Sequence, residues 1–166
     1  MALAKHGLYF EDFSIGGGFV SRSKAIDAAD VATFSSLTMD TNPIHTDAAH
    51  MTLHPLEKPV VHGMLVASVG VGLISQMGLT RGTLVAMLEQ KMVYRTPVYV
   101  GEAVHVKMEV IDKRETRNPE RGIVTYRYEI LNEANVVAVE GTNTNMVFRK
   151  NIQDVLKQHP NDNGDE

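Results

Sequence analysis

Residues 60–79, VVHGMLVASVGVGLISQMGL, form the most apolar run of the chain and contain four glycines. The polar residues that interrupt the run, among them His62, Ser68 and Gln76, favour a buried core helix over a membrane span. Glycine inside a helix costs about 1 kcal/mol relative to alanine, so several in one segment indicate that neighbouring strands approach the helix backbone closely. The small residues suited to such packing are Gly63, Ala67, Gly70 and Gly72.

Downstream of this run, from Thr83, the apolar periodicity changes from 3.6 to 2. Residues 104–110 alternate between apolar and polar side chains, which is typical of a strand with one buried face. Such a sheet needs a partner layer. The predicted fold class is therefore α+β, a single hotdog fold in which an antiparallel sheet wraps around a central glycine-containing helix. The other predicted strands of this region are Leu84–Tyr94, Ile123–Leu131 and Val136–Phe148.

Upstream of the run, Phe19–Ile26 alternates well enough to predict a first strand. Asp27, with Asp30 three residues on, predicts the N-terminal cap of a helix. That helix should end near Met39. Asp40–His45 is then predicted to be a short loop, because its proline disfavours helical backbone at the preceding residue.

Composition excludes several classes of function. The chain has 166 residues, enough for one domain with its own core. It has no cysteine, which excludes a thiol nucleophile and any cysteine-based metal site. The 16 Lys and Arg residues against 20 Asp and Glu residues argue against nucleic acid as a partner, since phosphate binding needs a cationic surplus. We expect a hotdog domain over residues 1–150 and a polar helix with an acidic tail over 151–166.

No segment predicts targeting or membrane insertion. The N-terminal residues carry Lys5 and His6 without an apolar stretch of signal-peptide length. We therefore expect a cytoplasmic protein that does not act at a membrane.

Two short segments offer groups for catalysis. The sequence DTNPIH places the carboxylate of Asp40 and the imidazole of His45 five residues apart on a rigid segment, as proton transfer requires. Gly63 stands at the predicted start of the core helix, where its unpaired N–H could stabilise an oxyanion. Taken alone, each segment also fits a structural role, with Asp40 capping a turn and Gly63 serving helix packing.

A metal site is not predicted. His45, His50, His54 and His62 lie within 18 residues, but no HExxH motif accompanies them. We expect no metal and no cofactor.

Three motifs resemble those of the MaoC-like, R-specific enoyl-CoA hydratase family. They are FSSLTMDTNPIH at residues 34–45, VHGML at 61–65 and YRTPVYVGE at 94–102. The Asp-x-Asn-Pro-x-His loop is the most specific of them. The resemblance runs from about Tyr9 to Phe148. Two residues depart from it: Met39 stands where the family usually has a small or polar residue, and Glu102 replaces the usual Asp.

The resemblance implies reversible hydration of trans-2-enoyl-CoA to (R)-3-hydroxyacyl-CoA by a homodimer or a dimer of dimers. It implies that Asp40 and His45 are the catalytic pair and that Gly63 supplies the oxyanion amide. Asn42 would brace the loop. The positions it implies for substrate binding are Asn42, His62, Met64 and Tyr94.

Two other functions share the same fold. A hotdog acyl-CoA thioesterase would use the glycine amide without needing the Asp and His pair. A non-catalytic acyl-CoA binding subunit would keep the fold and bind without turnover.

Overall fold

The structure is a computed structural model that describes residues 7–151. A 3-10 turn at Phe10–Asp12 precedes the regular elements. The helices are α1 (Ala28–Thr38), α2 (Pro43–Thr46), α3 (Ala48–Met51) and α4 (Gly63–Gln76). The strands are β1 (Gly18–Val20), β2 (Lys24–Ala25), β3 (Leu84–Tyr94), β4 (Ala103–Glu115), β5 (Arg121–Asn132) and β6 (Val137–Phe148).

All strands join one antiparallel sheet in the order β1-β4-β5-β6-β3, with β2 also paired to β4. The register aligns Val106 with Ile130 and Ile130 with Val139, and all three side chains are buried. The alternation of apolar and polar residues therefore gives the sheet one buried face, as the sequence predicts.

Helix α4 packs on that face and confirms the hotdog fold. A Cβ atom at Gly70 would lie 2.2 Å from Cδ1 of Ile130, so the strand approaches the helix too closely for any larger residue without rearrangement. Gly72 does not share this constraint, because a Cβ there would meet no atom within 4 Å. The prediction that close packing explains these helix glycines is thus correct for Gly70 and wrong for Gly72.

The predicted first strand, Phe19–Ile26, is instead two short strands, β1 and β2. The side chain of Ser21 causes the break, because its Oγ accepts the Val106 N–H at 2.8 Å in place of a backbone carbonyl. The predicted cap of α1 is confirmed. Asp27 Oδ1 accepts the Asp30 N–H, and Asp30 Oδ2 accepts the Asp27 N–H, at 2.9 and 3.2 Å.

The predicted C-terminal helix and acidic tail lie outside the described residues, apart from Asn151. Within residues 7–151 no helix is long and apolar enough to cross a membrane.

Candidate active site

The loop after α1 positions Asp40. Helix α1 ends at Thr38, whose Oγ1 accepts the Asp40 N–H at 3.3 Å. Met39 between them adopts left-handed backbone with φ 61°, a conformation that favours glycine, and its side chain is exposed. This turn directs the chain away from the helix axis, and it gives a physical reason for a small residue at position 39.

The segment predicted as a loop contains one helical turn, α2, and this corrects the prediction. Asn42 caps that turn, since its Oδ1 accepts the Ile44 N–H at 3.2 Å. Pro43 at the first helical position has the backbone angle that a helix start requires and needs no N–H partner there. The turn places His45 in a short helical element, and the Asn42 side chain caps the start of that element.

His45 has a fixed orientation. Its Nδ1 lies 2.7 Å from the carbonyl oxygen of Val60, just before α4. Because a carbonyl only accepts hydrogen bonds, Nδ1 carries the proton of the neutral ring and Nε2 keeps a basic lone pair. The contact that selects this tautomer therefore joins α2 to the segment that leads into the core helix.

The fold brings the predicted pair together. Nitrogen or oxygen atoms of Asp40, His45 and His62 lie within 4.8 Å of one another, although Asp40 and His62 are 22 residues apart in sequence. Asp40 is exposed, His45 is half-buried and His62 is buried. The carboxylate and the basic imidazole thus meet at the surface of the domain, where a substrate can reach them.

His62 does not lie where a substrate would touch it, which corrects its predicted role in binding. Only 2% of the residue is exposed. Its ring stacks beneath His45, with centroids 3.8 Å apart and planes at 26°, and the ring of Phe34 lies 5.1 Å away. A bound substrate would meet His45 first.

The three clustered residues are poorly arranged for a metal ion. The rings of His45 and His62 are nearly parallel, so their in-plane lone pairs run side by side and do not converge. One nitrogen of each ring already faces a backbone carbonyl, that of Val60 for His45 and that of Asp40 for His62. A metal-free site remains the prediction.

Gly63 begins α4, with His62 as its N-terminal cap residue. The first N–H groups of a helix have no partner within it and lie at the positive end of the helix dipole. Among the described residues no backbone carbonyl pairs with the Gly63 N–H. This donor is therefore available to a negatively charged oxygen.

Tyr94 covers Gly63 from the sheet side. A Cβ at position 63 would lie 2.9 Å from Cε1 of Tyr94, so a larger residue there would require the Tyr94 ring to shift. The Tyr94 hydroxyl donates to the sulfur of Met64 at 3.1 Å. A cavity of about 250 Å³ opens beside these residues and is lined by His45, Gly63 and Tyr94 together with mainly apolar side chains. It is suited to the reacting end of an apolar acyl group.

Glu102, the second departure from the family motif, has a structural role. Its Oε2 accepts the Tyr99 N–H at 3.0 Å and closes the turn before β4. The longer carboxylate therefore serves the backbone and lies outside the group formed by Asp40, His45 and Gly63.

The sequence matches the family model of the MaoC like domain over residues 13–130, which is more than half of the chain. The chain belongs to this family. Two curated relatives are similar to this chain in sequence. An (R)-specific enoyl-CoA hydratase from Aeromonas caviae is 37% identical over 72% of this chain and 84% of its own. One from Rhodospirillum rubrum is 33% identical over 84% of this chain and 91% of its own.

The solved structures agree with this membership. The (R)-hydratase from A. caviae, described as involved in PHA biosynthesis, superposes on this MaoC-like protein with a TM-score of 0.69. It is 32% identical, and the alignment covers 81% of this chain and 96% of that one.

Sequence reasoning missed two residues that shape the site, Ser35 and Val60. Ser35 Oγ lies 3.3 Å from Nε2 of His62, and both are buried. One signal was available, since Ser35 follows Val31 by four residues and therefore shares the buried face of α1. The contribution of Val60 is a backbone carbonyl, which no side-chain pattern reports.

Proposed function

We propose that this MaoC-like protein hydrates trans-2-enoyl-CoA reversibly to (R)-3-hydroxyacyl-CoA. The observation that supports it most is that His45 and Gly63, with its unpaired N–H, line one cavity. The exposed carboxylate of Asp40 lies within 4.8 Å of a ring nitrogen of that His45. The names of the relatives support the choice of substrate and the (R) configuration.

The proposed mechanism follows the charge that develops in the reaction. Asp40 and His45 hold a water molecule and remove one proton from it as its oxygen attacks the β carbon of the enoyl thioester. The electrons of the double bond move towards the thioester oxygen, where the Gly63 N–H stabilises the negative charge. The α carbon then takes up a proton from the same pair. The elements of water are added and no oxidation state changes, so the reaction needs no redox cofactor.

One-sided addition follows from the placement of these groups. Asp40 and His45 lie within 4.8 Å of each other on a single short segment. The hydroxyl group and the proton are therefore delivered to the same face of the substrate. A product of single configuration is expected.

We further propose that the working unit is a homodimer, alone or as half of a dimer of dimers. Strand β3 is an edge of the sheet and pairs only with β6 among the described residues. Its exposed apolar side chains include Leu88 and Val93, at 47% and 44% exposure. An unpaired apolar edge strand is a surface that a second chain can extend. The cavity at His45 is open at the surface, which is consistent with completion by that second chain.

The test is initial-rate kinetics of the purified full-length protein on trans-2-enoyl-CoAs from about four carbons upward. Loss of the conjugated enoyl absorbance reports hydration, a thiol reagent reports free CoA, and chiral chromatography resolves the product. We expect (R)-3-hydroxyacyl-CoA without thiol release. Release of CoA would support the thioesterase, and calorimetric binding without turnover would support the binding subunit.

A further inference from the structure

His62 is the buried residue of the site, and two aromatic rings enclose it. His45 stacks on one side with ring centroids 3.8 Å apart, and Phe34 of α1 lies at 5.1 Å with planes at 55°. Because His62 is also the cap residue of α4, its backbone is fixed by the core helix. The most firmly held ring of the site is thus the one that supports His45.

The same ring holds the backbone of Asp40. Nε2 of His62 lies 3.0 Å from the Asp40 carbonyl oxygen and 3.3 Å from Ser35 Oγ. The carbonyl only accepts, so Nε2 carries the proton and donates to it. Within residues 7–151 the other hydrogen bonds of residues 39–42 run to near neighbours along the chain. In this described part of the chain, the bond to His62 is the only hydrogen bond that ties the turn to the core helix.

The other nitrogen of His62, Nδ1, is buried without a hydrogen-bond partner. An unpaired buried acceptor lowers stability, and a phenylalanine would fill the same space without it. The N–H at Nε2, on the opposite side of the ring, therefore points to a role beyond packing.

We propose that His62 is a positioning residue for both members of the catalytic pair. Its N–H fixes the peptide of Asp40, and its ring face fixes the plane of His45. This role rests on the proposed hydratase function, and it assigns to His62 no contact with the substrate. A loss of either contact allows the carboxylate and the imidazole to move apart by the small distances that slow proton transfer.

Two variants separate the two contacts. His62→Phe keeps a ring under His45, removes the unpaired Nδ1 and deletes the N–H that Asp40 uses. His62→Gln removes the ring and keeps an N–H donor near the position of Nε2. We expect His62→Phe to fold, because the loss of the unpaired Nδ1 offsets the loss of the N–H that faces Asp40 and Ser35. Its kcat should be lower by roughly tenfold to a hundredfold, with KM nearly unchanged. His62→Gln should recover part of that loss. His105→Phe on β4 is the matched control and should keep wild-type kcat.

A double-mutant cycle shows whether His62 acts through Asp40. In an Asp40→Asn background the fold-change caused by His62→Phe should largely disappear, because the group being positioned is already impaired. A purely structural role would give the same fold-change in both backgrounds. Wild-type kcat in His62→Phe, or an undiminished effect in the Asp40→Asn background, would overturn the proposal.

A readout without substrate distinguishes this proposal from the proposed function. Nitrogen-detected NMR of the imidazoles should show His62 as the Nε2–H tautomer with a slowly exchanging proton. That proton should be present even if the protein fails to hydrate any enoyl-CoA. Failure of hydration with this proton present would refute the hydratase function and leave the role of His62 in place. The Nδ1–H tautomer would refute the role of His62.

Discussion

The carbonyl of Val60 determines which nitrogen of His45 is basic. It lies 2.7 Å from Nδ1 and leaves Nε2 unprotonated in the neutral ring. Val60 lies two residues before the helix cap His62, so the tautomer of the His45 imidazole depends on the path of the main chain into α4.

The N–H of Gly63 can be removed without removing the helix. Proline is tolerated at the first helical position and lacks only the N–H, and His62 already has the extended backbone that must precede proline. Gly63→Ala adds a Cβ that crowds Tyr94, as proline does, but keeps the backbone N–H of residue 63. Relative to Gly63→Ala, we expect Gly63→Pro to lower kcat by a further factor of roughly 10² to 10³. Equal kcat values for the two variants would exclude the oxyanion role.

The residues of the site were predictable to different degrees. Asp40 and His45 stand in a specific motif around a proline, so their proximity was predictable from sequence, and their role in proton transfer stays a prediction. His62 was assigned to substrate binding because sequence does not report its burial or its stacking. Those properties arise from the packing of α1, α2 and the start of α4 against one another.

At the level of elements, α4 depends on one close contact. Ile130 fills the space that a side chain at Gly70 would need, with Cδ1 at 2.2 Å from a Cβ there, whereas Gly72 faces open space. We expect Gly70→Ala to lower the free energy of unfolding by about 1–3 kcal/mol through overpacking. Gly72→Ala, the matched control, should raise it by up to about 1 kcal/mol through helix propensity. Chemical denaturation of both variants measures the difference, and equal shifts would contradict this account of the packing.

The strands were easier to predict than the short elements. The bounds of β3 match the prediction, because alternation over many residues leaves a clear period. The division between β1 and β2 was not predicted, since it depends on Ser21 bonding to a strand some 85 residues away in sequence. The helical turn α2 was missed because its four residues are too few for a helical period to appear.

For the whole molecule, the exposed edge of β3 should control assembly. Charges on this edge oppose strand pairing, so we expect the double variant Leu88→Lys, Val93→Lys to shift a dimer to monomer and to lower kcat. Val136→Lys places one charge at an exposed apolar site in the turn between β5 and β6, and it should keep the wild-type mass. Analytical ultracentrifugation gives the masses. A double variant that stays dimeric would place the interface elsewhere.

The stability of the whole domain should fall at alkaline pH because of Tyr126. Burial raises the pKa of Tyr126 above its ordinary value, although the amides of Asn143 and Asn145 donate to its oxygen at 3.2 and 3.0 Å. Above about pH 10 the unfolded chain loses this proton while the folded chain keeps it. The folded state then binds more protons, and the free energy of unfolding decreases as pH rises.

Urea denaturation as a function of pH tests this linkage. Tyr126→Phe should be less stable at neutral pH, because two buried amides lose their acceptor, but its stability should fall less steeply above about pH 10. An identical slope in the wild type and the variant would assign the alkaline loss to other groups.

In the proposed reaction the carboxylate of Asp40 takes part in proton transfer during enoyl-CoA hydration. The most direct test of this claim is the kcat of Asp40→Asn on crotonyl-CoA, measured beside Asp112→Asn, which removes an exposed carboxylate on β4. Both variants should show the assembly state and unfolding transition of the wild type. We expect kcat to fall by at least about a hundredfold in Asp40→Asn and to stay at the wild-type value in Asp112→Asn. Near wild-type turnover by folded Asp40→Asn would contradict the claim.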